Sequence, residues 1–246
     1  MEEKEWIKRA RELEERSLAR GIYTRTAFLT EGEQAVLAEC RSLHYTLVGG
    51  YEEAERRLAL FGSEEELYYP WESEIVLLKI EPKDQKFADD LSHRDFTGAL
   101  LNLGIKRELL GDLLVVDNVG YQFCLQSVSV FLQENLSRVR RTSVTVREVP
   151  SLPEGALPTL REETAVSASE RLDGVVCAVY GLSRAEGKDL AEKEKVFVNG
   201  RLCTDPALSL KEGQKISVRG FGKFYYDGIT GSTRSGRSRI AFRRFV

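Results

Sequence analysis

Two local signals in the last third of the chain fix the order of its secondary structure. Ser183, with Glu186 three residues later, forms a capping box, a pattern that predicts a helix beginning at Arg184. After that helix apolar residues alternate, and Asn199-Gly200 is typical of a type I′ turn, in which both central residues adopt positive φ. The residues therefore predict a helix that leads into a small antiparallel hairpin.

Positive charge is concentrated in the same region. From Ala168 to the end the chain has 15 Lys and Arg residues against 9 Asp and Glu, a net charge of +6, whereas the preceding residues have 21 against 30, a net charge of -9. Arg184 and Lys188, spaced i and i+4, share one face of the predicted helix. This asymmetry is expected of a nucleic-acid-binding module joined to a part that does not itself attract polyanions. A basic domain that is merely solvated remains the alternative on charge alone.

Several strings in this region resemble a known RNA-binding domain. They are Arg171-Leu172-Asp173, Leu182-Ser183-Arg184, Val196 to Gly200, Glu212-Gly213 and Ser217 to Lys223. Their order and spacing resemble the S4 domain. Together with Gly231 to Arg237, and with upstream strings such as Gly49 to Arg56 and His93 to Phe96, they resemble the YlmH family of bacterial S4-domain proteins. The resemblance covers most of the chain from about residue 28.

The element pattern and the resemblance predict an α+β fold. Residues 1–72 are expected to form an α-rich segment, with helices over 1–20, from about Glu31, and over 52–61. Residues 73–149 show a βαββαβ order, the ferredoxin-like plan shared by RRM domains. The proline-containing residues 150–167 are expected to form a linker, followed by an S4-like domain of two helices and a small antiparallel sheet over 168–246.

Aromatic residues on the third predicted strand of the RRM-like domain leave two interpretations open. Tyr121 and Phe123 alternate there, and RRM domains stack bases on aromatic residues of their sheet. The first strand, Ile75 to Ile80, offers no aromatic residue. Tyr121 and Phe123 are therefore expected either to stack bases or to pack within the domain.

Composition narrows the function classes. No apolar run reaches the roughly 18 residues of a membrane span, and no signal peptide is recognised, so a cytoplasmic protein without membrane contact is expected. The four cysteines form no C-x-x-C pair, which favours buried free thiols over a zinc site or a disulfide framework.

Sequence motifs for catalysis are poorly represented. His93-Arg94-Asp95 resembles the catalytic loop of protein kinases, but Leu100 stands where that loop has its metal-binding Asn. No G-x-G-x-x-G loop precedes residue 150, and the chain has only two histidines. We therefore expect no catalytic residue, metal, cofactor or small-molecule substrate.

Phosphate-binding side chains are predicted from the S4-like motifs and the basic residues after them. The predicted RNA-binding residues are Arg171, Ser183, Arg184, Lys188, Asn199, Arg219, Lys223, Arg234, Arg237 and Arg239. Asn199 is expected to serve mainly as a turn residue. Arg94, Lys106 and Arg107 form a possible second RNA contact. Two residues depart from the S4 pattern, which usually has Gly where Glu194 stands and Asp where Gln214 stands.

The resemblance also implies partners. S4 domains bind structured ribosomal or transfer RNA, and YlmH-like proteins are associated with the large (50S) ribosomal subunit, in translation and in quality control of obstructed 50S particles that carry peptidyl-tRNA. The resemblance thus implies a monomeric, non-catalytic protein that binds rRNA and tRNA on this subunit. The alternative is a protein-interaction factor, in cell division or envelope regulation, with secondary RNA binding.

Overall fold

A computed structural model describes residues 3–233 and 236–245, and the chain divides into two compact units. The first unit comprises the residues before Glu31 together with Val36–Leu157, and the second comprises Glu31–Ala35 with the residues from Pro158 onward. The first unit thus holds both the N-terminal segment and the RRM-like region. None of the helices that the structure describes combines the length and the apolar character needed to span a bilayer.

The N-terminal segment contains helices and a small sheet. Its elements are α1 (Glu3–Arg20), β1 (Thr24–Arg25), α2 (Glu31–Glu39), β2 (Thr46–Val48), β3 (Leu58–Phe61) and α3 (Glu64–Leu67). The strands form an antiparallel sheet in the order β1-β3-β2. The predicted helices near residues 1–20 and from Glu31 are confirmed.

The helix predicted over residues 52–61 is wrong. Turns occupy residues 51–56, and β3 is a central strand whose four residues are all buried. The buried carboxylate of Asp112 accepts the backbone N–H groups of Glu55 (2.7 Å) and Arg56 (2.9 Å) and the hydroxyl of Tyr51 (2.7 Å). Pairing with β1 and β2, together with this carboxylate, therefore overrides the local preference for helix.

The RRM-like region has the predicted strand and helix order. Its elements are β4 (Ile75–Pro82), α4 (His93–Asn102), β5 (Leu110–Val116), β6 (Val119–Leu125), α5 (Gln126–Asn135), β7 (Arg138–Val139) and β8 (Thr142–Glu148), with 3₁₀ turns at Gln85–Phe87 and Arg107–Leu109. The antiparallel sheet has the order β5-β6-β4-β8-β7. Apart from the short edge strand β7, this is the strand order of a ferredoxin-like fold.

The kinase-like string His93-Arg94-Asp95 serves to start α4. The Asp95 carboxylate accepts the backbone N–H of Ser92 (2.9 Å) and its hydroxyl (2.6 Å). These hydrogen bonds hold the pKa of Asp95 below its usual value. A negative charge in the first turn also favours the positive end of the helix. Helix capping thus accounts for Asp95 without a catalytic role.

The second unit contains a larger sheet than predicted. Its elements are β9 (Leu160–Ser167), α6 (Leu172–Tyr180), α7 (Arg184–Glu192), β10 (Val196–Val198), β11 (Arg201–Leu202), β12 (Gln214–Val218), β13 (Gly222–Ser232) and β14 (Ser238–Phe245). They form a six-stranded antiparallel sheet in the order β11-β10-β12-β13-β14-β9. The helices and one face of this sheet share an apolar core that includes Val175, Val176, Ile216 and Phe224.

The predicted linker over residues 150–167 is wrong in its second half. The prolines lie at positions 150, 153 and 158, and the eight residues of β9 that follow pair with all eight residues of β14. The backbone hydrogen bonds of β9 are made with β14, a strand much later in the sequence. Local composition does not reveal such a partner. The sheet of the S4-like domain therefore begins before the predicted start at residue 168.

All four cysteines are free thiols, as predicted, but only two are buried. Cys124 and Cys177 are buried, whereas Cys40 and Cys203 are partly exposed. Burial raises the pKa of the Cys124 thiol to about 12, so this thiol stays protonated at neutral pH.

Glu194 ends α7 in the left-handed conformation that the S4 pattern gives to Gly. Its φ is 57°, and the N–H of Lys195 donates to the carbonyl oxygen of Leu190 (3.0 Å), the bonding of a Schellman cap. A residue with a side chain costs roughly 1–2 kcal/mol in this conformation. Gly would remove this strain, but its greater loss of backbone entropy on folding would offset part of the gain.

Replacing Glu194 should therefore stabilise the protein. We expect Glu194→Gly to raise the free energy of unfolding by about 0.5–1 kcal/mol, measured by urea denaturation. Glu192→Gly, at the last residue of α7, is the matched control and should lower it by about 1 kcal/mol. Equal losses in the two variants would contradict the assignment of strain to Glu194.

Removing the Asp112 carboxylate should loosen the turn over residues 51–56. Asp112→Asn places an amide group opposite three donors, and we expect a loss of about 2–3 kcal/mol in the free energy of unfolding. Asp90→Asn, on an exposed carboxylate, should change it by less than about 0.5 kcal/mol. The same urea denaturation tests both, and a loss no larger than that of the control would refute the role of Asp112.

Candidate nucleic-acid interface

The helix pair α6 and α7 carries the first group of predicted RNA-binding residues. Gly181 (φ 67°) ends α6, and Ser183 begins α7 with the predicted capping box. The two helices approach closely, since a Cβ atom at Gly187 would lie 2.3 Å from Sγ of Cys177. The same sulfur donates a hydrogen bond to the carbonyl oxygen of Ser183 (3.0 Å). These contacts fix the corner from which α7 starts.

Arg184 and Lys188 are exposed on α7, one turn apart. Arg184 forms no ion pair within the part of the chain that the structure describes, whereas Nζ of Lys188 lies 3.3 Å from a carboxylate oxygen of Glu192. An exposed pair of this kind contributes at most about 1 kcal/mol, so a phosphate can displace it. Both cations are therefore available to a polyanion.

Arg171 stands before the first turn of α6 and is already paired. Its Nε lies 3.4 Å from a carboxylate oxygen of Asp173, and its side chain is about half exposed. The pair orients the guanidinium group over the start of α6. A phosphate would have to share this guanidinium with Asp173.

Ser183 and Asn199 have structural partners for their side chains. Oγ of Ser183 accepts the N–H of Glu186 (3.3 Å), and Oδ1 of Asn199 accepts the N–H of Lys215 (2.9 Å). Asn199 also has a φ of 48°, as a type I′ turn requires. Capping and turn formation thus account for both residue types without a ligand.

The remaining predicted residues of this unit that the structure describes follow β12, lie on β13 or β14, or directly precede β14. The Arg219 guanidinium lies 4.7 Å from the ring centroid of Phe197, a cation–π contact. Lys223 is half-buried on β13, and Arg237 and Arg239 are exposed on the other side of the β13–β14 turn. Arg234 lies outside the described residues.

The second predicted contact does not form one exposed group. Arg94 and Lys106 are exposed, but Arg107 is half-buried. Its Nη1 atom is buried without a hydrogen bond to the described residues, and burial lowers its pKa, an effect that Asp112 opposes. Arg107 is therefore packed in the first unit, and Arg94 and Lys106 alone remain accessible.

The aromatic residues of the RRM-like sheet are packed, which decides between the two interpretations given above. Tyr121 and Phe123 are only 8% and 4% exposed. The ring of Tyr51 stacks on Phe123 with 5.2 Å between centroids, and Gly50 (φ 93°) lies so close that a Cβ atom there would be 2.5 Å from the same ring. Leu152 packs against the same cluster. The face with which an RRM reads bases is covered here by the chain itself.

Three side chains that the sequence motifs did not predict meet at the C-terminal end of α6. Tyr180 ends that helix, Phe221 lies at the tip of the β12–β13 hairpin, and Arg244 comes from β14. The centroids of Tyr180 and Phe221 are 5.4 Å apart, and the Arg244 guanidinium lies 5.4 Å from the centroid of Tyr180. The sequence shows only that aromatic and basic residues alternate after residue 218, which does not reveal that these three meet.

Comparisons with known proteins agree with this arrangement of domains. A family model described as "Putative RNA-binding domain in YlmH" matches residues 71–152, and the S4 domain model matches residues 170–216. Ribosome-associated protein quality control protein P2 of Bacillus subtilis (strain 168) is 28% identical over 229 residues, which cover 89% of this chain and 86% of the relative.

A solved structure, cell division protein ylmH from Streptococcus pneumoniae, is 25% identical with a TM-score of 0.47, covering 61% of this chain and 92% of that chain. The two domain matches occur in the order that the motifs predicted, and the curated relative extends over most of the chain. The predicted resemblance to the YlmH family is thereby confirmed, and the chain contains an S4 domain after a region that matches the putative RNA-binding domain of YlmH.

Proposed function

We propose that this protein binds structured rRNA and tRNA on the large (50S) ribosomal subunit. It acts there without chemistry of its own, in translation and in the quality control of obstructed 50S particles that carry peptidyl-tRNA. The observation that carries the proposal is the exposed pair Arg184 and Lys188 on α7 of the S4 domain. Ser183 caps this helix, and Gly187 holds it close to α6, so the position of both cations is fixed. A ribosome-associated relative supports the choice of RNA.

Phosphate binding explains why these cations suit folded RNA. Double-stranded RNA hides its base edges in a deep, narrow groove, so a compact protein recognises the positions of phosphates and 2′-hydroxyl groups. Arg171, Arg184 and Lys188 on the helix pair, with Arg219 at the end of β12, supply cations from two elements of one rigid domain. Arg237 and Arg239 extend this cationic surface along the β13–β14 hairpin.

The first unit has a different part in this proposal. Its RRM-like sheet offers no open aromatic face, so it adds affinity through exposed cations such as Arg94 and Lys106 or through contact with protein. We propose that the S4 domain supplies the main RNA contact. A binding role of this kind would place the protein in the cytoplasm, as a monomer on each particle.

One surface of the first unit favours protein interaction as a second candidate function. The ring of Tyr68 is 90% exposed at a φ of 63°, directly after the acidic helix α3. Carboxylates around exposed aromatic rings repel phosphates and attract Lys or Arg side chains. If this candidate holds, a photo-crosslinking amino acid at position 68 should give adducts with protein, whereas adducts with rRNA would count against it.

Removing the cation pair of α7 should release the protein from ribosomal particles. We expect tagged protein to co-sediment with 50S particles in a sucrose gradient and the double variant Arg184→Ala plus Lys188→Ala to lose this co-sedimentation. If about five phosphates are neutralised, log K for tRNA should fall with log salt at a slope of roughly -3.5 to -4.5, and the double variant should lower its magnitude by about 1.4 to 1.8.

The control is the double variant Arg16→Ala plus Arg20→Ala. These two arginines are also exposed and spaced i and i+4, but they lie on α1 in the first unit. This variant changes the net charge equally and should still co-sediment with 50S particles. If both double variants lost co-sedimentation equally, or if log K for tRNA did not change with log salt, α7 would not be the RNA contact.

A further inference from the structure

The β12–β13 hairpin exposes an aromatic ring at its tip. Arg219, Gly220 and Phe221 connect Val218 to Gly222, which face each other as the last paired residues of the two strands. Gly220 has a φ of 88°, a conformation that lets the chain reverse within three residues. Phe221 is 46% exposed although most large apolar residues of this domain are buried. The tight turn therefore holds an apolar ring at the surface.

Two aromatic rings of the domain, Tyr180 and Phe224, support the ring of Phe221. Its centroid is 5.4 Å from that of Tyr180, at an interplanar angle of 50°, and Tyr180 packs edge-on against buried Phe224. On the same tyrosine lies Arg244, whose Nη2 donates to the carbonyl oxygen of Val179 (2.7 Å) and lies 3.2 Å from a carboxylate oxygen of Glu163. Burial raises the pKa of Tyr180 to about 12, so the ring beneath Phe221 stays neutral.

The surroundings of the ring are cationic. The Arg244 guanidinium lies over Tyr180, the ring that Phe221 contacts, whereas the Arg219 guanidinium lies over Phe197 on the other face of the sheet. Tyr180, which contacts Phe221, is followed four residues later by Arg184, the first residue of α7. Through Tyr180, the tip of the hairpin lies beside the end of α6, from which the chain turns into α7. A ligand that covers Phe221 has to offer a flat apolar surface next to negative charge.

A nucleobase attached to its phosphates has these two properties. We propose that an unpaired base of the bound RNA stacks on the exposed face of Phe221, while Arg184 at the start of α7 holds a neighbouring phosphate. A base within an A-form helix is already stacked on both sides and cannot reach the ring, so the preferred RNA carries a bulged or flipped-out nucleotide. This inference rests on the proposed RNA binding and adds a preference that phosphate contacts alone do not give.

Two matched RNA probes can test the stacking. One is a stem–loop RNA with a single bulged 2-aminopurine, and the other is the same stem fully paired. Base–aromatic stacking contributes about 1–3 kcal/mol, so the full-length protein should bind the bulged stem about tenfold more tightly than the paired stem. Stacking on Phe221 should also quench the 2-aminopurine fluorescence.

Variants at position 221 decide whether the preference comes from this ring. Phe221→Ala should abolish both the tenfold preference and the quenching while it leaves binding of the paired stem unchanged. Phe221→Trp should keep both, since a larger ring still stacks. Phe131→Ala removes another exposed ring, on α5 of the first unit, and should keep the preference as well.

The remaining outcomes separate this inference from the proposed function. If Phe221→Ala weakened both RNAs equally, or neither, stacking on Phe221 would be refuted while RNA binding stood. The double variant Arg184→Ala plus Lys188→Ala should weaken both RNAs and keep their ratio. Absence of binding to either RNA by the unaltered protein would overturn the proposed function and the stacking together.

Discussion

The close approach of α7 to α6 at Gly187 determines where the cations of the S4 domain lie. A Cβ atom at this position would also come within 2.9 Å of the carbonyl oxygen of Asp173, so any side chain there would push the helices apart. Leu190 and Ala191 bury the same face of α7 in the core, and Arg184 and Lys188 lie exposed along the edge of that face. Buried residues of the helix pair thus set the positions of the exposed cations.

The two units treat their aromatic residues in opposite ways. In the first unit the RRM-like sheet is closed by the turn that Asp112 holds, and Tyr51 occupies the place a base would take on Phe123. In the second unit Phe221 is exposed at the surface, where its ring packs on that of Tyr180. A sheet with the topology of an RNA-binding domain need not read bases, because access to its rings depends on what the rest of the chain packs against them.

Local signals account for what could be predicted from the sequence. The capping box at Ser183 and the Asn199-Gly200 turn are decided by hydrogen bonds within a few residues, so the bounds of α7 and β10 were predictable. The strand β3 was not, because its pairing partners and the carboxylate of Asp112 lie elsewhere in the chain.

The candidate interface shows the same division. The S4 motifs pointed to the exposed cations on α7, since the helix period fixes which residues share a face. They could not show that Arg107 is packed beside Asp112 or that Phe221 meets Tyr180. These features depend on contacts between elements that are distant in the sequence.

The pairing of β9 with β14 has a consequence for how the domain can be isolated. The strand that precedes the helices lies along the last strand of the sheet, so the domain is fastened by segments from both ends of its sequence. A fragment cut at residue 168 would leave the backbone donors and acceptors of β14 without their partner strand, and open edges of this kind recruit other chains. A self-contained fragment has to include all of β9 and so begins at or before Leu160.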